Sequence, residues 1–403
     1  MIPLNNYVSK TLYDNSEEPH AVLTYIDFNI SYNEDKIREY ITTLVEKNQI
    51  LRQHIVTQED KLYLETSDSV NIDNHYSIKY MPEEKFDNEI SEMLNKQFTT
   101  KEKWFFLFTI DNTNEHNQKM RCYFKIDHTF ADGYQIIKIL TSPFADEQLT
   151  SKFKRTTHTF LETLYYFIFG TLMLCAINIR FLFSFLFQSK SANISYKQAE
   201  TDYILCKGFD LGKIKAFTKK HGITINDFMY SLMIKTSYYY NGQEQTIYSA
   251  SPINVSQSKD TNNVTPLFLN MPNNYDSKRL LNSAHEMFNS CKYGLFIPAL
   301  SSLINSVIDL IPSATCRRIH KNIIGQIDYV YSNIIGPSTE VNKDVTNLHF
   351  LTTTMNRETC FNIISYDNAI NIICTFKKGV VADKERFENA IYKAYNNLMF
   401  LTR

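Results

Sequence analysis

An α/β chain built as two halves around an apolar connector is the fold class this sequence predicts. Strand-like and helix-like periods alternate on both sides of one central stretch. That stretch, residues 160–187, carries no charge from Thr163 to Ile179 and continues past Arg180 as a run of Phe and Leu. The 403 residues correspond to two or three domains at roughly 150 residues each. The halves are therefore set at 1–150 and 196–403, with 151–195 as connector.

In chain order, Tyr25–Ile30 reads as a strand, and Asn33 then caps a helix running to about Lys47. Ile37, Ile41, Leu44 and Val45 fall on one face of that helix. Short strands follow at Leu51–Val56, Leu62–Leu64 and Phe105–Ile110. Arg121–Asp127 alternates cleanly, with Cys122, Phe124 and Ile126 on one face and Arg121, Tyr123, Lys125 and Asp127 on the other. A turn through Ala131-Asp132-Gly133 leads to a helix carrying Ile136, Ile137 and Leu140. Beyond the connector, helices are expected from about Gly212 to His221 and through Met229, Leu232 and Met233. Strands follow at Thr246–Ser249, Thr265–Leu269, Gln326–Asn333, Leu348–Thr353, Phe361–Ser365 and Ile370–Phe376, then a helix from about Lys384 to Leu398. No short-period repeat is present.

The connector has two readings. Its uncharged run is close to the lower limit of the roughly 17–25 residues a membrane helix needs, and Arg180 could snorkel or sit at the apex of a hairpin. The other reading is a buried pair of core helices. Aromatic side chains on every face, with no polar stripe, favour membrane contact.

Composition narrows the function. Lysine plus arginine number 42 against 43 acidic residues, which removes the electrostatic basis for nucleic-acid binding. Glycine numbers 10 where average usage gives about 28, so backbone phosphate cradles are scarce. The nearest approach to a P-loop, Gly208-Phe-Asp-Leu-Gly212-Lys213, is one residue short and lacks the Ser/Thr. The 7 cysteines include no CxxC and several sit in apolar runs, as expected of buried thiols in a reducing compartment. The 10 histidines are scattered singly, so no metal site is expected, and no GxSxG marks a serine hydrolase. The start, Met1-Ile-Pro-Leu-Asn-Asn6, lacks the features of a secretory signal, and the first arginine is Arg38, so an intracellular location is expected.

One segment concentrates chemistry: Ile126-Asp127-His128-Thr129-Phe130-Ala131-Asp132-Gly133. Alternation turns His128 to the side of Cys122, Phe124 and Ile126, at the strand's end. Shielding from water keeps an imidazole neutral, the form a general base requires. Asp132, beside a glycine that permits a tight turn, either pairs with a cation to fix the loop or orients the histidine. A satisfied histidine in a polar turn is the plainer alternative.

His128-Thr-Phe-Ala-Asp132-Gly133 resembles the HxxxDG signature of the CoA-dependent acyltransferase superfamily. That group includes chloramphenicol acetyltransferase, the plant BAHD enzymes, peptide-synthetase condensation domains and the wax ester synthase/diacylglycerol acyltransferase family. The surrounding segments resemble the last of these, in its order, from end to end. They are Pro3-Leu4, Ile50-Leu51-Arg52, Lys103-Trp104, Thr224-Ile225-Asn226-Asp227 and Pro252-Ile253-Asn254-Val255. Asn263, Ser332-Asn333-Ile334-Ile335-Gly336-Pro337, Ser365-Tyr366-Asp367 and Val381-Ala382-Asp383 complete the series. The sequence departs at Asp127, where the family has a first histidine, and at Asn262, where it has glycine.

The resemblance implies two chloramphenicol-acetyltransferase-like halves with a tunnel between them. It implies that His128 deprotonates an acceptor hydroxyl as that oxygen attacks an acyl-CoA thioester, with acyl-CoA a substrate and no cofactor. Asn263, Ser332 and Asn333 become candidates for oxyanion or acceptor contacts. Asp132 and Gly133 become structural, Asp132 paired with Arg52 as in condensation domains. Asn226 and Asp227 are expected to cap a helix, and Trp104 to lie in the core. The activity implied is transfer of a long acyl chain to a lipid alcohol, a fatty alcohol or diacylglycerol, at a membrane met through residues 160–187. The rival is a non-catalytic relative serving as a structural or lipid-binding subunit of a membrane complex.

Overall fold

The structure is a computed structural model that describes residues 2–3, 20–58, 61–113, 119–143, 199–254, 264–293, 312–336, 344–354 and 358–402. The apolar connector and Asn263 lie outside them. The fold is mixed α/β with two sheet-rich halves.

In the N-terminal half, strands β2 (Ala21–Phe28), β5 (Tyr76–Tyr80), β6 (Trp104–Ile110) and β7 (Met120–Asp127) form most of a five-stranded sheet. Helix α1 (Glu34–Lys47) follows β2. It starts where Asn33 accepts a hydrogen bond from the Lys36 amide at 3.0 Å, and it buries Ile37, Ile41, Leu44 and Val45 as its periodicity predicts. A small sheet of β1 (Ile2–Pro3), β3 (Gln53–Gln58) and β4 (Lys61–Thr66) lies apart from the main one. Helix α2 (Asn88–Asn95) is a short amphipathic helix not foreseen from the sequence.

Strand β7 keeps the expected alternation, yet every one of its residues is buried. Cys122, Phe124 and Ile126 join the core beneath α1. The polar side is covered too, and each charge there is answered. Arg121 pairs with Asp27 and Asp87 and lies 4.4 Å above the Tyr25 ring, while Lys125 donates to the carbonyls of Leu94 and Lys96. An alternating strand normally has a wet face; this one is central and packed on both.

In the C-terminal half, β8 (Thr201–Asp210), β9 (Thr246–Asn254), β10 (Val264–Pro272), β11 (Tyr329–Ile334), β13 (Thr359–Tyr366) and β14 (Ala369–Lys377) form a six-stranded sheet. Helix α4 (Leu211–His221) stops at Gly222, whose φ of 66° is the left-handed cap that glycine adopts freely. Helices α5 (Ile225–Asn241), α6 (Ser277–Tyr293) and α8 (Lys384–Met399) pack their apolar residues on the sheet, and α7 (Ser313–Ile324) precedes β11. Among the described residues, no helix is long and apolar enough to cross a membrane.

One strand joins the halves. β12 (Val345–Thr352) comes from the C-terminal part of the chain but pairs with β2, at the edge of the N-terminal sheet. It also lies against β13 and β14. The Asn371 amide reaches the Leu348 carbonyl (3.1 Å), and the Thr375 hydroxyl reaches the Thr352 carbonyl (2.7 Å).

Candidate active site

Strand β7 ends at Asp127, helix α3 (Gly133–Thr141) begins six residues later, and the loop between them carries the HxxxDG residues. Local hydrogen bonds set the loop's shape. The Asp127 carboxylate accepts from the Thr129 amide at 2.8 Å, and the Asp127 carbonyl accepts from Phe130 at 3.0 Å. The second carboxylate oxygen lies 3.6 Å from Lys103 Nζ. The carboxylate that replaces a histidine is thus buried, paired and turned into the loop. His128, half-buried, is anchored through its backbone, its amide donating to the His20 carbonyl at 2.6 Å.

Asp132 forms a capping box at the start of α3. Its carboxylate accepts from the Gln135 amide at 2.8 Å, while the Gln135 side chain accepts from the Asp132 amide at 3.1 Å. Burial pushes the Asp132 carboxyl above the ordinary range, against the pull of the Gln135 amide and of His128 nearby. Arg52 closes a 3-10 turn over Gln49–Arg52, and its carbonyl accepts from the Ser67 amide at 2.7 Å. Among the described residues no ion pair joins Arg52 to Asp132, and Arg52 Nε is buried without a hydrogen-bond partner. The structural work that the resemblance gives Asp132 is done here by the helix cap.

Strand β11 of the C-terminal half meets this loop at Gly133. Successive residues of a strand face opposite ways. Tyr331 faces the helical layer, its hydroxyl donating to the Asn226 carbonyl (3.0 Å). Asn333 shares that face, and its amide donates to Asn226 Oδ1 at 3.2 Å. Ser332 and Ile334 share the other face. Ile334 packs on the N-terminal core and touches Gly133, where an added Cβ would overlap its Cδ1 and meet Phe350 at 3.4 Å. The structure therefore brings Gly133, at the end of the His128 loop, against the strand that carries Ser332 and Asn333. Gly336 is a second close approach, since a Cβ there would run into the Ser365 carbonyl.

Thr224, rather than Asn226, caps α5. The Asp227 carboxylate closes the capping box at 2.8 Å from the Thr224 amide and also meets His285 Nδ1 at 2.7 Å. Asn226 is spent on β11 instead. Trp104 is core, 1% exposed, its indole N–H donating to the Leu51 carbonyl at 2.8 Å and its ring stacked on His75. Among the described residues, no group of three or more His, Cys, Asp or Glu side chains could hold a metal ion. Sequence reasoning missed His20 and His285. Both reach their places through pairings distant in sequence, and neither belongs to a motif.

Residues 261–399 match the family model described as the WS/DGAT C-terminal domain. The wax ester synthase/diacylglycerol acyltransferase from Marinobacter aquaeolei VT8 has the same fold, with TM-score 0.62 at 13% identity over 100% of this chain and 99% of that one. A trichothecene 15-O-acetyltransferase from Fusarium sporotrichioides superposes with TM-score 0.67 at 10% identity over 99% and 94%. The condensation domain of the monacolin K polyketide synthase gives 0.60 at 10% identity over 100% and 96%. No curated protein matches the chain.

Proposed function

From the wax ester synthase/diacylglycerol acyltransferase C-terminal domain carried by residues 261–399, we propose that this chain is an acyl-CoA-dependent O-acyltransferase acting on a lipid alcohol. The observation that carries the reading is the contact of Gly133 with Ile334. It sets the histidine loop of one half against the Ser332 strand of the other, as a reaction joining two substrates between the halves requires.

In the proposed step His128 takes the proton of the acceptor hydroxyl while that oxygen attacks the thioester carbonyl carbon. The carbonyl electrons move onto oxygen, and a preorganised donor lowers the cost of that charge. Ser332 is the better candidate for the donor, because it shares the Ile334 face whereas the Asn333 amide is held by Asn226. Collapse of the intermediate expels the CoA thiolate, which recovers the proton from His128. Fixing the loop by Asp132 and Asp127 keeps the base in place without further reorganisation. Residues 160–187 would dock the chain at the bilayer, where apolar acyl chains and alcohols reside.

The test is labelled palmitoyl-CoA with hexadecanol or diacylglycerol, run beside His128→Ala. Labelled ester from the wild type and a loss of roughly 100-fold or more in the variant are expected. Turnover that survives His128→Ala overturns the mechanism. Liposome flotation with and without residues 160–187 tests the docking, and equal flotation would count against it.

A further inference from the structure

The register of the N-terminal sheet places His20 beside His128, and no motif contains it. Strand β2 pairs with β7 so that Ala21 faces Asp127 and Val22 faces Ile126. Continued by one residue, this ladder sets His20 opposite His128, and the 2.6 Å bond from the His128 amide to the His20 carbonyl shows that it does continue. On its other side β2 pairs with β12, Thr352 facing Val22. Past that rung Thr353 is held opposite Ala21, its amide donating to the Ala21 carbonyl and its hydroxyl accepting from the Ala21 amide, each at 2.9 Å. Thr354 is the next residue along the chain, directly after the one held opposite Ala21. Directly opposed residues of antiparallel strands present their side chains to one face, with Cβ atoms about 4.5–5.5 Å apart.

We propose that His128, His20 and Thr354 form one row across the ends of β7, β2 and β12, and that His20 and Thr354 bind the hydroxyl of the acceptor alcohol beside the base. Two further observations support a ligand-binding row. Thr354 is 3% exposed, yet among the described residues its hydroxyl has no hydrogen-bond partner. A buried hydroxyl left in that state costs free energy that a bound hydroxyl would recover. The row also lies on the face of Ile126 and Phe350, the face on which Ile334 meets Gly133. The proposal rests on the acyl-transfer reading for the identity of the ligand, not for the row itself.

The test measures equilibrium binding of decanol and, separately, of palmitoyl-CoA, with no turnover required. His20→Ala and Thr354→Val should each weaken decanol binding about tenfold, the worth of one hydrogen bond, and leave palmitoyl-CoA affinity unchanged. Thr354→Ser restores the hydroxyl and should recover decanol affinity, which separates hydroxyl loss from misfolding. Decanol affinity unchanged in His20→Ala and Thr354→Val overturns the proposal, as does an equal loss of affinity for both ligands. If decanol binding depends on His20 and Thr354 while His128→Ala leaves turnover intact, the row stands and the proposed mechanism falls.

Discussion

Gly133 and Ile334, about two hundred residues apart in sequence, meet where the two halves touch, a Cβ added at Gly133 lying 2.3 Å from Ile334 Cδ1. The constraint is packing rather than backbone conformation, because a Cβ at Gly133 would overlap Ile334 Cδ1. The overlapped atom ends a flexible side chain, so Gly133→Ala should destabilise the chain by only about 1 kcal/mol, the strain of turning Ile334 aside. Ile334→Val removes the offending methyl, so the double variant should recover part of the loss. A double-mutant cycle by urea unfolding reads the coupling, and strictly additive effects would contradict the contact.

Asp127 and Lys103 form a pair whose carboxylate is 4% exposed and whose ammonium side chain is 19% exposed. Asp127→Ala leaves both Lys103 and the Thr129 amide without this partner and should cost about 3 kcal/mol, near the low end for a buried pair because Lys103 reaches water. Asp127→Asn can still accept from the Thr129 amide and should cost less. Denaturant midpoints of the two variants check the order.

Asp132 carries a pH signature. Its carboxyl is raised in the folded chain by burial and lies in the ordinary range when unfolded. Between those two values the folded state holds more protons, so stability falls as pH rises through that window. Asp132→Asn keeps a competent cap and should flatten this slope without lowering stability at pH 7. Asp132→Ala also removes the slope but loses the cap, at about 1 kcal/mol. Urea unfolding from pH 3 to 8 distinguishes the three proteins.

His349 gives the opposite sign. It is fully buried on β12, stacked 4.5 Å from the Tyr25 ring, with no hydrogen-bond partner at either ring nitrogen among the described residues. Burial holds its pKa well below the ordinary imidazole value, assisted by Arg121. As pH falls through the unfolded imidazole range, the unfolded chain takes up a proton that the folded chain refuses, and stability drops. His349→Phe keeps the stacking and should remove that loss, so its advantage over wild type should grow below about pH 6. An acid titration of the melting temperature that shows parallel curves would refute this.

The sequence by itself determined the local elements and the motif. Helix α1 begins at Asn33 and α3 follows the HxxxDG loop, because caps and hydrophobic period act over a few residues. Alternation along β7 correctly put Cys122, Phe124 and Ile126 on one face, but it could not show that a second layer covers Arg121 and Lys125. Short elements such as β5 and α2 were missed, their stability coming from neighbours rather than pattern. Only the tertiary structure decided that β12 crosses to the N-terminal sheet and that His20 stands opposite His128. The physical reason is that strand pairing and close packing depend on surfaces brought together from distant parts of the chain. Single residues announce their own conformational preferences, while their cross-strand partners follow from the register of the whole sheet.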